Sequence, residues 1–427
     1  MLIRKKIQSI FSRLNLILKI DTAYFAKGNF WLAVGQSASV IASLIMVIIF
    51  ANFIPKETYG TYRYVLSVVS ILTISTLPGI GTTLSQAVAE GKEGSFIQAL
   101  YVRIKYGMLG AIIAIGISIF YYIISANNSI IGAFIIAAIF LPFMDPLGMF
   151  GLYLHSKKKF KQATLYFIAS QAFVLISMMA ASILTKNILA ILFTYFGAWT
   201  ITRGYCLWRI IKIFPPNATQ SPESISYGLH ISALGVIGQI ASSIDSFLLF
   251  NFAGPVQVAT YTVSTSPIEQ MRSVFKNIPT VAVPKLTKRT VHEINSVLIK
   301  RILLLFAIGT LLSGVLIVIL PFLFNIIYHQ YSDAARFAQW YTPTLALRLP
   351  LSFLTAVTQS KLTHFRKKWL YFGTIPNIVL IISLIIIVPI YGIMGIIVCR
   401  YINLFISCGV GAIQWKLLTV QTNKQIA

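Results

Sequence analysis

Three charged residues lie inside one apolar run of this sequence at helical spacing. Glu269, Arg272 and Lys276 are separated by three and four positions, so a helix would place them on one face. Ionisable groups at membrane depth are costly and usually face a cavity. We therefore predict that this face lines a cleft, with Arg272 near mid-depth. The alternative is a local salt bridge between Glu269 and Arg272.

Arg348 is the second candidate for chemistry inside the membrane. It lies in LALRLPLS, without an acidic neighbour in sequence and too deep to reach water easily. Its guanidinium needs either a structural partner, for which Asp145 and Asp245 are the candidates, or an anionic ligand. Arg400 is also a candidate for the cleft, but Arg400 and Arg203 are shallower, and snorkelling towards water is the alternative for both.

The carboxylates in the apolar runs have two interpretations. Asp145 lies in FMDPLG, directly before Pro146, where a helix is expected to break. A carboxylate there can bind a cation, carry a proton, cap a helix or pair with a deep arginine. The same choice between ion coupling and charge pairing applies to Asp245 and Glu269.

Two apolar runs carry matching polar stripes. The first contains GQSASVIAS from Gly35, and the seventh contains GQIASSIDS from Gly238. Gln36 and Gln239 occupy the same place in these stretches, each followed by serines at helical spacing. We predict that both glutamines face a shared cleft, and hydrogen bonding between neighbouring helices is the alternative.

The composition requires a lipid environment for most of the chain. Hydrophobic residues make up 57% of the 427 residues, charged residues only 11%, and the mean hydropathy is +0.81. A soluble domain cannot cover its surface with so few charges. The net charge of +25 lies in short segments between apolar runs, which is typical of membrane topology signals and argues against a nucleic-acid partner.

The apolar runs predict twelve membrane spans in two lobes. The expected fold is an all-α polytopic membrane protein with two parallel six-helix repeats around a central cleft. We divide the chain into a basic amphipathic segment (1–28) in place of a cleavable signal peptide, an N-lobe (29–211), a linker (212–228), a C-lobe (229–417) and a tail (418–427). The predicted spans are Asn29–Ile54, Thr61–Ala89, Tyr106–Ser125, Ser129–Leu154, Ala163–Leu184, Ile188–Ile211, Leu229–Phe252, Val256–Val283, Ile302–Tyr328, Arg336–Gln359, Trp369–Ile390 and Ile393–Leu417.

The distribution of lysine and arginine orients these spans. With the N-terminus inside, the outer loops and helix ends hold only Lys56, Arg63, Lys186 and Arg336. The other loop cations fall on the inner side, so both termini are predicted to be cytoplasmic. Arg63 is either such a topology signal or part of a cationic rim that attracts a ligand.

The two halves of the sequence share further positions about 200 residues apart, in the same order. Pro55 matches Pro255, and the Thr-Tyr pair that begins at Thr61 matches the pair that begins at Thr260. Together with the polar stripes, these matches indicate a duplication. Two such halves around a cleft are the architecture of a transporter.

The sequence offers no metal or catalytic motif. The three cysteines and five histidines are scattered, without metal-ligand or HExxH spacing. We therefore expect no metal, no cofactor and no enzymatic activity.

Two stretches resemble a known family. ANFIPKETYGTYRYVLSVVSILTISTLPGIGTTLSQ, from Ala51, and SSIDSFLLFNFAGPVQVATYTVS, from Ser242, are similar to the two half-signatures of the polysaccharide flippases. These belong to the multidrug/oligosaccharidyl-lipid/polysaccharide exporter superfamily. The resemblance implies a cationic cleft that moves an undecaprenyl-pyrophosphate-linked oligosaccharide, such as an O-antigen unit, to the outer leaflet of a bacterial inner membrane. It assigns no single binding residue.

Further expectations complete this interpretation. The expected partners are anionic phospholipid, a polysaccharide polymerase and a chain-length regulator, and the protein is expected to be a monomer. One alternative is a multidrug or organic-cation antiporter of the same superfamily, which would need acids deep in the cleft. Another is a membrane polysaccharide polymerase, which would need a long outer loop. A membrane scaffold would need no charges at mid-depth.

Overall fold

The computed structural model describes residues 22–124, 127–275, 286, 289–361 and 372–426. The described chain is helical throughout, and no strand occurs in these ranges. The amphipathic segment predicted before residue 22 lies outside the described residues, as does Lys276.

The helices follow one another along the chain with short connections. Polar residues start several of them. The side chain of Asn187, for example, accepts a hydrogen bond from the backbone N–H of Leu189 and caps the helix that follows. The helices are α1 (Thr22–Phe53), α2 (Lys56–Leu72), α3 (Ile80–Ala89), α4 (Ser95–Ile124), α5 (Asn128–Met144), α6 (Met149–Ser156), α7 (Phe160–Leu184), α8 (Ile188–Ile213), α9 (Pro222–Ala253), α10 (Pro255–Phe275), α11 (Val291–Ile327), α12 (Ala334–Tyr341), α13 (Thr344–Lys361) and α14 (Ile375–Ile426).

Three of the twelve spans consist of two helices each. The second span is α2 and α3, which meet at an angle of 50° beyond the 3-10 turn Thr73–Thr76. Leu77 adopts the left-handed conformation there, with φ of 55°, directly before Pro78. The fourth span is α5 and α6, separated by the turn Pro146–Gly148, and the tenth is α12 and α13.

The longest helix contains two spans. In α14 the backbone reverses at Gly392, where φ is 53° and ψ is −129°, a conformation that glycine adopts easily. The eleventh span precedes this residue and the twelfth follows it. The predicted fold class, an all-α membrane protein of about twelve spans in two six-helix lobes, is confirmed.

Helix ends extend beyond the predicted spans. α1 already includes Thr22, the first described residue, although its span was predicted from Asn29, and α9 begins at Pro222 rather than Leu229. Apolar runs report only the part of a helix that faces lipid, whereas a helix continues into water until its backbone is capped or broken. The connection between α8 and α9 covers residues 214–221.

The two lobes meet along α2 and α3 on one side and α9 and α10 on the other. Glycines permit this close approach. A Cβ on Gly60 would lie 1.8 Å from the carbonyl oxygen of Pro255, and a Cβ on Gly79 would lie 2.4 Å from the backbone nitrogen of Ser232. Between these contacts the helices separate and enclose a cavity.

Candidate substrate cavity

A cavity of about 530 Å³ lies between the lobes. The N-lobe contributes residues of α1 and α2, and the C-lobe contributes residues of α9, α10, α12 and α14. Its lining comprises Ser43, Val47, Arg63, Leu66, Ser67, Ser70, Gly238, Ala241, Ser242, Ser243, Asp245, Ser246, Tyr261, Thr262, Thr265, Ser266, Glu269, Gln270, Arg272, Tyr341, Asn377, Leu380, Arg400 and Asn403.

Hydroxyl and amide groups dominate this lining. Nine of the lining residues are serine or threonine, and three carry side-chain amides. Most are on helices, so their backbone groups are already satisfied and the side chains remain as donors and acceptors. Such a wall can replace the hydrogen bonds that water makes to a polyhydroxylated molecule.

One ion pair joins the first and last spans of the C-lobe. Arg400 Nη2 on α14 lies 2.6 Å from Asp245 Oδ2 on α9, and the Tyr261 hydroxyl donates to the same oxygen at 2.7 Å. Arg400 Nε is buried without a hydrogen-bond partner in the described residues. In this structure Asp245 forms a charge pair, which is one of the two roles predicted for it.

A second network centres on Glu269 of α10. Its carboxylate lies 2.8 Å from Arg272 Nη1 and 2.8 Å from Arg348 Nη1, and it accepts a hydrogen bond of 2.5 Å from the Tyr341 hydroxyl. Arg348 Nη2 donates to the same tyrosine at 2.9 Å. The predicted salt bridge between Glu269 and Arg272 is present, but Arg272 still exposes 51% of its side chain.

Arg348 differs from its prediction in both partner and place. It pairs with Glu269 rather than with Asp145 or Asp245, its side chain is only 9% exposed, and it is not part of the cavity lining. Sequence spacing could not reveal this pair because 79 positions separate the two residues. Arg348 therefore binds Glu269 without itself lining the cavity.

Arg63 of α2 is the cavity-lining arginine without a carboxylate partner. No described carboxylate lies within 4.0 Å of its side chain, and its Nε is buried without a hydrogen bond to the described residues. Three arginines and two carboxylates line the cavity, so the lining is positive by one charge. Arg63 is the residue that carries this excess.

The two glutamines of the predicted polar stripes do not face one cleft. Gln239 donates to the Ser70 carbonyl at 2.9 Å and to the Ser70 hydroxyl at 2.7 Å, which ties the lobes together. Gln36 donates to the Ser273 hydroxyl at 3.2 Å and borders a different, smaller cavity in the N-lobe. Interhelical hydrogen bonding, the alternative stated above, describes both glutamines. Their neighbours Ser43 and Ser242 do line the central cavity.

Asp145 lies in the N-lobe, away from the central cavity. It is bound by Arg103 of α4 and accepts a hydrogen bond from the Thr76 hydroxyl at 2.9 Å. This pair bridges the breaks of the second and fourth spans. Asp145 thus acts as a charge partner at two helix breaks.

Sequence reasoning missed the tyrosines and asparagines of the site. Tyr261 holds the buried Asp245, and Tyr341 holds the partly exposed Glu269. Asn377 and Asn403 line the cavity from the last two spans. Tyr261 did belong to the Thr-Tyr match between the halves, which was the available signal. The asparagines carried no such signal. Among the described residues, no cluster of three or more metal-ligating side chains occurs.

Comparison with known proteins gives a family match and several proteins of similar fold. A family model described as "Polysaccharide biosynthesis protein" matches residues 25–290, and a search of curated sequences gives no significant match. A MOP superfamily transporter from Pyrococcus furiosus superposes with a TM-score of 0.63 at 14% identity, over 93% of this chain and 96% of that one. A multidrug resistance MATE family transporter superposes in its outward-facing conformation with a TM-score of 0.62, at 14% identity, over 92% of this chain and 96% of that one.

The inward-facing conformation of a MATE family transporter gives a TM-score of 0.63 at 13% identity, over 92% of this chain and 99% of that one. These likenesses establish the fold, and the family match spans more than half of the sequence. The chain is a multi-pass membrane protein with a transporter fold, and it belongs to the polysaccharide biosynthesis protein family.

Proposed function

We propose that this protein is a flippase that moves an undecaprenyl-pyrophosphate-linked oligosaccharide from the cytoplasmic to the outer leaflet by alternating access. The glycan is an O-antigen or a similar polysaccharide repeat unit. The carrying observation is Arg63, an arginine without a carboxylate partner among the described residues, in a hydroxyl-lined cavity between two lobes.

The charge of the cavity supports an anionic headgroup. A pyrophosphate does not cross hydrocarbon unaided, because burying its charge without compensation is prohibitive. A free guanidinium can bind phosphate oxygens with two parallel hydrogen bonds. Arg63 has this capacity, and the half-exposed Arg272 can share the ligand while it remains bound to Glu269.

The neutral part of the cavity supports a sugar. The same space is lined by Ser67 and Ser70 of α2 and by Ser242 and Ser246 of α9. Their hydroxyls can exchange hydrogen bonds with the first sugar, while the lipid tail stays in the bilayer. An inside-negative potential favours outward movement of the anion by roughly 2.3 kcal/mol per charge per 100 mV.

An organic-cation antiporter is less compatible with these contacts. A cation would need a free carboxylate, but Asp245 and Glu269 are each bound by arginine. A polymerase would need an outer platform for catalytic groups. The described outer connections are short, since α1 ends at Phe53 and α2 begins at Lys56.

The biological setting follows from the same proposal. The flippase works as a monomer in the bacterial inner membrane with both termini cytoplasmic. Its lysine-rich inner loops contact anionic phospholipid. A polysaccharide polymerase and a chain-length regulator act on the glycan after it has been flipped.

The test replaces Arg63 in cells whose own flippase has been deleted. R63Q is expected to abolish surface display of the glycan, because the cavity loses its unpaired cation, and R63K is expected to retain part of it. The control is R336Q, which removes an exposed arginine on the outer side. Glycan display is measured beside the membrane abundance of each variant, and normal display by R63Q would refute the proposed site.

A further inference from the structure

Two arginines, one in the last span of each lobe, have different surroundings. They are Arg203 in TITRGY and Arg400 in VCRYIN. Arg400 is neutralised by Asp245 of the first C-lobe span. When GQSASVIAS is aligned with GQIASSIDS, the position of Asp245 is occupied by Ala42. The first span of the N-lobe therefore offers no carboxylate at that position.

The contacts of Arg203 agree with this alignment. Its Nη1 donates to the Met144 carbonyl at 2.6 Å, and its Cζ lies 4.3 Å from the centre of the Trp199 ring. No described carboxylate lies within 4.0 Å of it. The carboxylate at the adjacent helix break, Asp145, is already bound by Arg103. Arg203 thus has N–H groups left for another acceptor.

The N-lobe contains a second, smaller cavity beside Arg203. A cavity of about 270 Å³ is bordered by α1, α6, α7 and α8, and Arg203 lines it together with Gln36, Ser39 and His155. His155 Nδ1 is buried without a hydrogen-bond partner in the described residues. Ser39 accepts a bond of 3.5 Å from Gln171 Nε2, which leaves its own hydrogen free to donate.

We propose that this N-lobe cavity binds a phosphate group, with Arg203 as its main ligand. The planar guanidinium offers two parallel N–H groups to a tetrahedral oxyanion, and Ser39 and His155 supply further donors. The phosphate is either free in solution or carried by a lipid headgroup. This site is separate from the central cavity and does not depend on the proposed transport function.

The first experiment measures phosphate binding by thermal unfolding in phosphatidylcholine nanodiscs. An R63Q/R272Q background removes the two cations of the central cavity that are most available to an added anion. Inorganic phosphate at ten times its dissociation constant is expected to raise Tm on the order of 2 °C. R203Q is expected to abolish this rise. An equal rise in R203Q would show a general salt effect and overturn the proposal.

The second experiment adds a carboxylate to α1, about one helical turn after Ser39. A42D is expected to pair with Arg203 and to abolish the response to phosphate. A42N, which has nearly the same volume without the charge, is expected to keep it. Loss of the response in both variants would mean that the added side-chain volume, and not the added charge, prevents phosphate binding. This result would contradict the proposed site.

The third experiment distinguishes the two sources of phosphate. Phosphatidylglycerol replaces one third of the phosphatidylcholine, without free phosphate. A rise in Tm that disappears in R203Q and A42D assigns the site to a lipid headgroup, whereas a response to inorganic phosphate alone assigns it to a free ion. Absence of a response to both would overturn the proposal.

Discussion

The two lobes use their buried charges differently. In the C-lobe, the pairs of Asp245 with Arg400 and of Glu269 with Arg272 lie on the wall of the central cavity. In the N-lobe, Arg103 binds Asp145 and also donates to the Thr76 carbonyl at 2.8 Å, where the second span breaks. One set of charges therefore faces the site, and the other fastens two broken helices together.

The difference indicates that charge pairs in the two lobes of a duplicated fold can have different roles. Arg103 satisfies a carbonyl that the break at Leu77 leaves without a helical partner, so its charge maintains the backbone. The C-lobe charges cross between helices around a cavity of about 530 Å³, where a ligand can compete for them. We infer that the N-lobe pair serves mainly stability and the C-lobe pairs serve mainly binding.

Removing one carboxylate from each lobe tests this division most directly. D145A leaves Arg103 unpaired with only 6% of its side chain exposed, so it should lower the free energy of unfolding by about 3–5 kcal/mol. D245A should cost less, because Arg400 borders a cavity that water can enter. The measurement is denaturant unfolding in detergent micelles, beside glycan export in cells.

The control for this pair is D333A. Asp333 is exposed and makes no salt bridge in the described chain, so its removal should change stability by no more than about 0.5 kcal/mol. D245A should impair export more than its stability loss explains. A larger stability loss for D245A than for D145A would remove the distinction between the lobes.

The membrane fold was accessible from the sequence because lipid imposes a simple pattern. Runs of about 20 apolar residues and the bias of lysine and arginine define spans such as α4 and α7 without any knowledge of tertiary contacts. Helix ends in water, such as the start of α9 with Pro222 in its first turn, do not follow hydropathy and were missed. The domain boundaries stay predictions.

The site was only partly accessible. Spacing found the pair of Glu269 and Arg272 because its members lie three residues apart on one helix. It could not find Arg348 as the second partner of Glu269, since that contact joins two different spans. Arg63 is important because no described carboxylate pairs with it. The sequence alone does not show which side chains surround a residue in the fold.

Replacing Glu269 tests, through ligand affinity, whether the C-lobe charges serve binding. E269Q removes the carboxylate that competes for Arg272 and Arg348, so the cavity becomes more positive. The dissociation constant for inorganic pyrophosphate should fall about tenfold, equivalent to about 1.4 kcal/mol, while export slows because release is harder. The measurement is isothermal titration calorimetry in nanodiscs.

The matched control is E57Q, which removes an exposed carboxylate outside the cavity and should leave pyrophosphate affinity unchanged. A salt titration adds a second criterion. The gain in E269Q should shrink as ionic strength rises, since it is electrostatic. Unchanged affinity in E269Q would mean that Glu269 does not compete with the ligand.

The smallest effect concerns the cytoplasmic end of the N-lobe, where the linker is attached. Glu93 lies 2.8 Å from Lys157 Nζ, and its backbone N–H donates to Asn217 of the linker at 3.1 Å. Desolvation acts to raise the pKa of Glu93, but hydrogen bonds from Lys157 and Tyr153 outweigh it and lower the pKa below its usual value. The linker is thereby joined to the N-lobe rather than to the C-lobe.

A carboxylate with a lowered pKa contributes stability above its unfolded pKa and loses it as the pH falls through its folded pKa. E93Q should therefore reduce stability at neutral pH by about 1 kcal/mol or less, and the difference from wild type should vanish in acid. Thermal unfolding across a pH series measures this. Glu57 makes no salt bridge in the described chain, so E57Q should follow the wild-type profile. A pH-independent deficit in E93Q would show that the hydrogen bonds of its side chain, and not its charge, account for the lost stability.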